Sequence, residues 1–218
     1  MRRRFDLQLE KLHELLIEMG GLCERAIANA TEALQEGSEE MAKKVIEEDE
    51  EIDRMEKDVE RLCLKLLLEQ QPVARDLRQI SAALKMITDM ERIGDQTADI
   101  AEIIISGKTP ASRDREKIGI MAVAVSEMVH KSVEAYVKRD LKLARAVLKS
   151  DDNVDRLFEE IREELIGFIT EQKIEGCVAF DLMMITKYLE RIGDHATNIA
   201  EWVEFSITGQ HVKTKHFS

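Results

Sequence analysis

Proline is nearly absent from this chain, 2 residues in 218, and glycine (10 residues) and aromatic side chains (4%) are scarce. Tight turns and alternating strands depend on those residues, so an all-β or doubly wound α/β architecture is excluded. Cysteine is sparse and ill placed: Cys23, Cys63 and Cys177 are odd in number, far apart and embedded in apolar patterns. They can build neither a disulfide framework nor a Cys-x-x-Cys knuckle, which points to a reducing, cytoplasmic setting. Basic charge is in deficit, with 32 Lys and Arg against 44 Asp and Glu and a net charge of −12. A polyanion demands a basic stripe and its counterion release, so nucleic acid is not expected as a partner. Acidity on this scale favours solubility and also suits a protein that collects cations. Long apolar runs are missing too; the longest bursts are Ile103 to Ile105 and Met121 to Val125, far short of the roughly 18 residues a membrane span needs. Any membrane association is therefore expected only through protein partners. The basic start Met1-Arg2-Arg3-Arg4 is followed at once by Asp6, Glu10 and Lys11, where a signal peptide would need an apolar stretch.

Ala, Leu, Ile, Glu and Lys dominate, and they fall in helical register. In the first segment the apolar positions are Phe5, Leu9, Leu12, Leu16, Met19, Cys23, Ala26, Ala30 and Ala33, an unbroken spacing of fours and threes that predicts one long amphipathic helix. Glu36-Gly37-Ser38-Glu39 supplies a stop and an N-cap. Met41, Val45, Ile52, Met55, Val59, Leu62 and Leu66 form the stripe of a second helix, closed by Gln70-Gln71-Pro72, since the residue before proline is pushed out of helix. A third helix is expected from about Val73 to Ile105, and the breakers Gly107, Pro110 and Ser112 mark the boundary between halves. Three more helices follow, from about Arg113 to Val137, Asp140 to Glu171 and Cys177 to Ile207.

The halves copy one another. Glu91-Arg92-Ile93-Gly94-Asp95 returns letter for letter as Glu190-Arg191-Ile192-Gly193-Asp194, and Ile100-Ala101-Glu102 returns as Ile199-Ala200-Glu201. One helix earlier, Asp49 and Asp53-Arg54 answer to Asp151 and Asp155-Arg156. The expectation is all-α: six long helices in two tandem three-helix bundles, 1–109 and 110–218, related by an approximate internal two-fold and each with its own core.

With an advance of roughly 100 degrees per residue, Glu91, Asp95, Asp99 and Glu102 fall within one sector of a helix, and Asp49 and Asp53 lie about 40 degrees apart on the helix before it. Like charges at this spacing cost about 0.2 to 0.5 kcal/mol per pair, and facing rows add to that unless a cation lies between them. A solvated acidic face is the plain alternative for any single cluster. The repeat weighs against it: Glu56 and Glu60 change to Phe158 and Arg162 in the second copy, while Asp49, Asp53, Glu91 and Asp95 keep acidic counterparts in Asp151, Asp155, Glu190 and Asp194. Asp99 answers to Asn198, whose amide oxygen can still ligate. Glu102 and Glu201 lie a turn beyond and are peripheral candidates.

An all-oxygen set without cysteine selects hard or borderline ions: Mg, Mn, Fe, Ca or Zn. Gly94 and Gly193 stand in mid-helix at a cost of about 1 kcal/mol each relative to alanine, and close approach of a neighbouring helix accounts for them better than a direct role in a site. Arg92 and Arg191 read as ion-pair formers or as neutralisers of the cluster. His195 is more a supporting than a ligating residue, its first-half counterpart being Gln96, and His13, His130, His211 and His216 have no evident partners. No glycine-rich phosphate loop, nucleophile elbow or HExxH is present, so the chain is not expected to be an enzyme. A di-metal carboxylate oxidoreductase would need Glu-x-x-His on facing helices, and a metal-free structural adaptor is the other alternative. Inorganic phosphate is not expected as a direct ligand, since no basic pocket is legible and the acidic faces repel it unless metal intervenes.

Taken together, the opening pattern from Phe5 to Leu34 with Met19-Gly20, the entry Pro72-Val73-Ala74-Arg75-Asp76-Leu77-Arg78, both ERIGD motifs with their IAE continuations, and Thr208-Gly209 resemble the PhoU family over essentially the whole chain. The resemblance implies a cytoplasmic regulator of phosphate homeostasis, a homodimer without a chemical step of its own. Such a regulator links the ATPase subunit of a phosphate-specific ABC transporter to a PhoR-type sensor histidine kinase and represses phosphate-starvation genes. It also implies divalent or trivalent metal (Fe, Zn, Mn or Mg), as single ions or multinuclear clusters, on acid-x-x-x-Asp motifs: Asp49, Asp53, Glu91 and Asp95 in one bundle, Asp151, Asp155, Glu190 and Asp194 in the other. The first copy departs from the usual family pattern, reading Gln96-Thr97-Ala98-Asp99 where the second reads His195-Ala196-Thr197-Asn198.

Overall fold

The computed structural model describes residues 2–69, 72–107 and 115–210, and among them every regular element is helical. The helices are α1 (Arg2–Glu36), α2 (Glu39–Glu69), α3 (Ala74–Ser106), α4 (Glu116–Lys138), α5 (Leu141–Thr170) and α6 (Gly176–Thr208). The breakers Pro110 and Ser112, the start expected at Arg113 and the boundary between 109 and 110 lie outside the described residues, as do Gln70, Gln71, His211 and His216.

The helix ends follow from local chemistry. Gly37 takes a left-handed φ of 65°, and the Ser38 amide reaches back to the Ala33 carbonyl at 3.0 Å, closing α1. Ser38 Oγ then accepts the Met41 amide at 3.3 Å and opens α2. Asp140 does the same for α5 with two bonds, its Oδ1 accepting from Lys142 N at 2.9 Å and Leu143 N at 3.1 Å. Arg115 satisfies the far end of α1 by donating from Nη1 to the Leu34 carbonyl.

Helix α2 packs on α1 and α3, and α5 on α4 and α6, giving a three-helix unit from each half. The units are not separate, because α3 also packs along α6 and α1 along α4. One continuous buried apolar cluster results, running from Phe5, Leu16 and Ile27 through Ile87 and Val129 to Ile192 and Val203. A core for each half was expected, and the shared core has a plain cause in the sequence. Along α6, buried residues occupy adjacent faces, as in Leu182, Ile185, Thr186, Leu189, Ile192, Gly193, Ala196 and Thr197. A helix apolar over so wide an arc must be covered on two sides, whereas α5 buries the single stripe Ala144, Val147, Val154, Leu157, Ile161 and Leu165 and sits outside. Two buried polar contacts tie the inner helices: Cys23 Sγ donates to the Met90 carbonyl at 3.4 Å, and Tyr136 Oη to the Gln79 carbonyl at 2.9 Å.

Asp140→Ala should cost about 1 kcal/mol of stability, the usual worth of an N-cap side chain, and Ser38→Ala, which loses one longer bond, should cost less. Paired urea denaturation curves measure both, and equal losses would contradict the capping account.

Candidate functional site

The first-half carboxylates are set by the close approach of α2 to α3. A Cβ on Gly94 would stand 2.4 Å from Asp49 Oδ1 and 3.1 Å from Ile52 Cδ1, so only glycine leaves room for the Asp49 carboxylate against the α3 backbone. Both readings of this glycine meet here, since the neighbour it admits is itself a candidate site residue. Asp49 Oδ1 is buried and has no hydrogen-bond partner. Burial, and then the charges of Asp53, Asp95 and Asp99, push the Asp49 carboxyl up from 3.8 to about 6. Glu91 is raised by burial first, then by Asp95, against the pull of Arg92.

Arg92 tempers this strip from the solvent side, donating to Asp95 Oδ2 at 2.7 Å and lying 3.4 Å from Glu91 Oε2. Lys57 approaches Asp53 Oδ2 at 3.9 Å. Glu56 belongs to the same neighbourhood, its carboxyl raised by burial and then by Asp53. The repeat criterion set Glu56 aside because its counterpart is Phe158. Among the described residues, no three His, Cys, Asp or Glu side chains converge on one point in the manner of a metal sphere. The donor set is nevertheless all oxygen, and it includes a desolvated carboxylate oxygen that lacks a partner. On that chemistry Asp49, Asp53, Glu91 and Asp95 fit a hard or borderline cation.

The second half is built differently. A Cβ on Gly193 would meet Val154 Cγ1 at 3.3 Å and Asp151 Oδ1 only at 3.7 Å, so here the glycine serves helix packing more than a carboxylate. Buried Glu190 Oε2 faces Lys187 Nζ as an ion pair, and the same ammonium stands 5.4 Å from the centre of the Phe158 ring, which occupies the place of Glu56. Asp151 and Asp194 are half-buried and Asp155 is exposed.

Asp99 and Asn198 lie toward the α3–α6 seam. The Asp99 carboxyl is raised by burial, Glu102 and Asp95, and lowered by Arg191 and a hydrogen bond from Tyr188. Asn198 Nδ2 donates to Asp89 Oδ1 at 3.1 Å, and His195 Nδ1 is 2.9 Å from the same oxygen. Asp89 and Tyr188 are equivalent positions of the repeat, so the seam carries two related contacts, each reaching from one half to the Asp99 or Asn198 of the other. Neither residue could be found by looking for matched acids, because the repeat conserves the place and not the side chain. Glu102 is exposed and Glu201 buried, a turn beyond both sets. Of the remaining histidines, the two described ones find partners: His13 packs edge-on against the Tyr136 ring at 5.6 Å, and His130 Nδ1 lies 3.0 Å from Glu24 Oε1. Cys23 and Cys63 are buried thiols, each pushed up to about 12 by desolvation, and neither is in a disulfide.

Comparison with known proteins places this geometry. A family model described as the PhoU domain matches residues 16–104 and again 118–203. A relative from Clostridium acetobutylicum, named as a phosphate-specific transport system accessory protein PhoU homolog, is 40% identical over 214 residues, 97% of each chain. The crystal structure of PhoU from Pseudomonas aeruginosa superposes with a TM-score of 0.86 at 33% identity, covering 94% of this chain and 100% of that one. The phosphate transport system regulatory protein PhoU from Streptococcus pneumoniae gives a TM-score of 0.88 at 26% identity over 96% of this chain and 100% of its own.

The Asp49 carboxyl has a folded-state pKa above its unfolded one, so the folded state holds the extra proton and Asp49 opposes folding increasingly as pH rises from about 4 to about 6. In metal-free protein, the thermal advantage of Asp49→Asn over the parent should therefore grow across that window and stay level above it. Gly94→Ala should flatten the parent's pH dependence similarly, because the new methyl evicts the carboxylate toward water. Melting curves at a series of pH values decide this, and a constant offset would refute it.

Proposed function

The chain belongs to the PhoU family, and from that premise we propose that it regulates phosphate homeostasis by binding metal ions and relaying the state of a phosphate transporter to a sensor kinase. At the coarser level it is a PhoU-like accessory and regulatory protein of phosphate transport, and not an enzyme. The finer reading names its contacts as the ATPase subunit of a phosphate-specific ABC transporter and a PhoR-type histidine kinase. A homodimer is the working form, and repression of phosphate-starvation genes is the output. No helix among the described residues is long and apolar enough to cross a membrane, so contact with either membrane system would run through protein surfaces.

The observation that carries the metal part is the Asp49 oxygen, buried without a partner in the gap left by Gly94 and surrounded by Asp53, Asp95 and Asp99. Fe, Zn, Mn or Mg, singly or clustered, would supply positive charge there, held by Asp49 and Asp53 from α2 and by Glu91 and Asp95 from α3. Within the chain itself, Arg92 and Lys57 neutralise part of the strip, and the α2–α3 packing fixes the spacing of the two acidic rows. The second set would be Asp151, Asp155, Glu190 and Asp194, with Lys187 as a built-in competitor for Glu190. A metal-free adaptor is favoured by one observation, the Arg92 guanidinium already seated on Asp95.

Elemental analysis of protein purified without a histidine tag or chelator separates the two readings. We expect stoichiometric hard or borderline metal, lost from the first half in the Glu91→Ala/Asp95→Ala variant while helical content persists, and lost from the second in Glu190→Ala/Asp194→Ala. A value near zero after reloading with Mg, Mn, Fe and Zn would leave the family assignment intact and reduce the acidic strips to interaction surface.

A further inference from the structure

The sequence shows no contiguous basic pocket, yet the fold brings Arg139 beside Arg75 and Arg78 from a distant position. Many of the described arginines in this acidic chain have carboxylate partners: Arg25 pairs with Glu51 at 3.1 Å, Arg92 with Asp95 at 2.7 Å and Arg145 with Glu204 at 2.7 Å, and Arg54, Arg61, Arg156 and Arg162 each have a nearby carboxylate. Arg75, Arg78 and Arg139 have no carboxylate ion pair among the described residues, and Arg78 Nε is buried without any hydrogen-bond partner. They meet because the Tyr136 hydroxyl, donating to the Gln79 carbonyl at 2.9 Å, clamps the last turn of α4 to the first turns of α3.

Arg139 caps α4 in a left-handed conformation, φ 55° and ψ 41°, a place that favours glycine. Its guanidinium is held below its ordinary pKa by burial and by Arg75, with Arg78 adding to the push. Beside them the N-terminus of α3 has no side-chain cap: Val73 is extended, and the first helical bond runs from Leu77 N to Val73 O at 2.9 Å. The preceding amides therefore have no acceptor within the helix, and the helix dipole adds positive potential. Gly209 ends α6 against Arg78, where even a Cβ would stay 3.7 Å from Arg78 Nε. Buried Asp76 lies on the same turn, and its charge acts on Arg139 in the opposite sense to Arg75 and Arg78.

We propose that the N-terminal end of α3 is a binding site for a phosphate group, received by the guanidinium groups of Arg75, Arg78 and Arg139. Three guanidinium groups favour a phosphate anion, and their planar forks suit its tetrahedral oxygens. The site requires no metal and stands independently of the carboxylate strips. Free phosphate and a phospholipid headgroup share this chemistry. Exposed Val73 and Leu77 flank Arg75 in the chain, where lipid chains would rest.

The full-length, metal-stripped protein decides the matter by isothermal titration with inorganic phosphate and by co-sedimentation with phosphatidylcholine vesicles, with or without phosphatidic acid. One phosphate should bind per chain, at least about tenfold more weakly in Arg75→Gln/Arg78→Gln and in Arg139→Gly. Arg139→Gly keeps the fold, because glycine suits that backbone, and Arg61→Gln should bind like the parent. Titration with free phosphate that fails in the variants supports a soluble ligand. Retention only on phosphatidic acid vesicles, lost in the same variants, supports a headgroup. Absence of both, or binding undiminished in both arginine variants, overturns the proposal.

Discussion

The packing of α3 along α6 is the constraint on which the remaining architecture depends. Each is the middle helix of a contact network: α3 touches α1, α2 and α6, and α6 touches α3, α4 and α5. Their broad apolar faces force the halves together, and once that seam forms, α2 and α5 are left outside with one apolar stripe each. Their other faces must be polar, which is where the acidic residues of α2 accumulate. A three-helix bundle folding alone would leave one flank of α3 bare, at a cost of about 1.5 to 3 kcal/mol for each large apolar side chain left in water.

Acidic rows on adjacent helices are electrostatically unfavourable, and the two halves settle the conflict by different means. In the first, Gly94 lets Asp49 press against the α3 backbone, where desolvation and three neighbouring carboxylates raise its proton affinity. In the second, Phe158 replaces a carboxylate, Lys187 moves onto Glu190, and Val154 fills the contact at Gly193. Conflict is thus retained in one copy and largely resolved in the other, although the ERIGD motif is identical in both. An identical motif fixes the helix face it lies on, and the neighbouring helix decides the chemistry that face performs.

Much of this could be read before any coordinates. The fours-and-threes spacing located all six helices to within a few residues, and Gly37-Ser38 and Asp140 mark their caps in the residue types themselves. The duplicated acids were visible because identity at matched positions is a property of the string. What the sequence concealed is what depends on pairing between halves. Asp89 and Tyr188 share a position in the repeat and no chemistry, so matching residues passed over them. Arg75, Arg78 and Arg139 look unremarkable in sequence, since the third lies far from the first two and is delivered by a left-handed cap. The shared core is equally hidden, because periodicity shows one stripe per helix and not the second apolar arc that α3 and α6 bury.

Charge links these regions through α3 itself. Asp99 raises the proton affinity of Asp49, is raised in turn by Asp95, and accepts a hydrogen bond from Tyr188 across the seam. A carboxylate that loses repulsion on one side becomes a better ionised acceptor on the other. Positive charge placed on the α2–α3 strip therefore favours the ionised form of Asp99, the form that accepts from Tyr188 across the seam. The equivalent contact, Asp89 to Asn198 and His195, also has its acceptor on α3 and its donors on α6, but Asp89 is not among the carboxylates that act on Asp49. Of the two symmetry-related ties between the halves, one is tuned by the acidic strip and the other is fixed by direct hydrogen bonding, so the pseudo-two-fold of the backbone does not extend to how each half responds to charge.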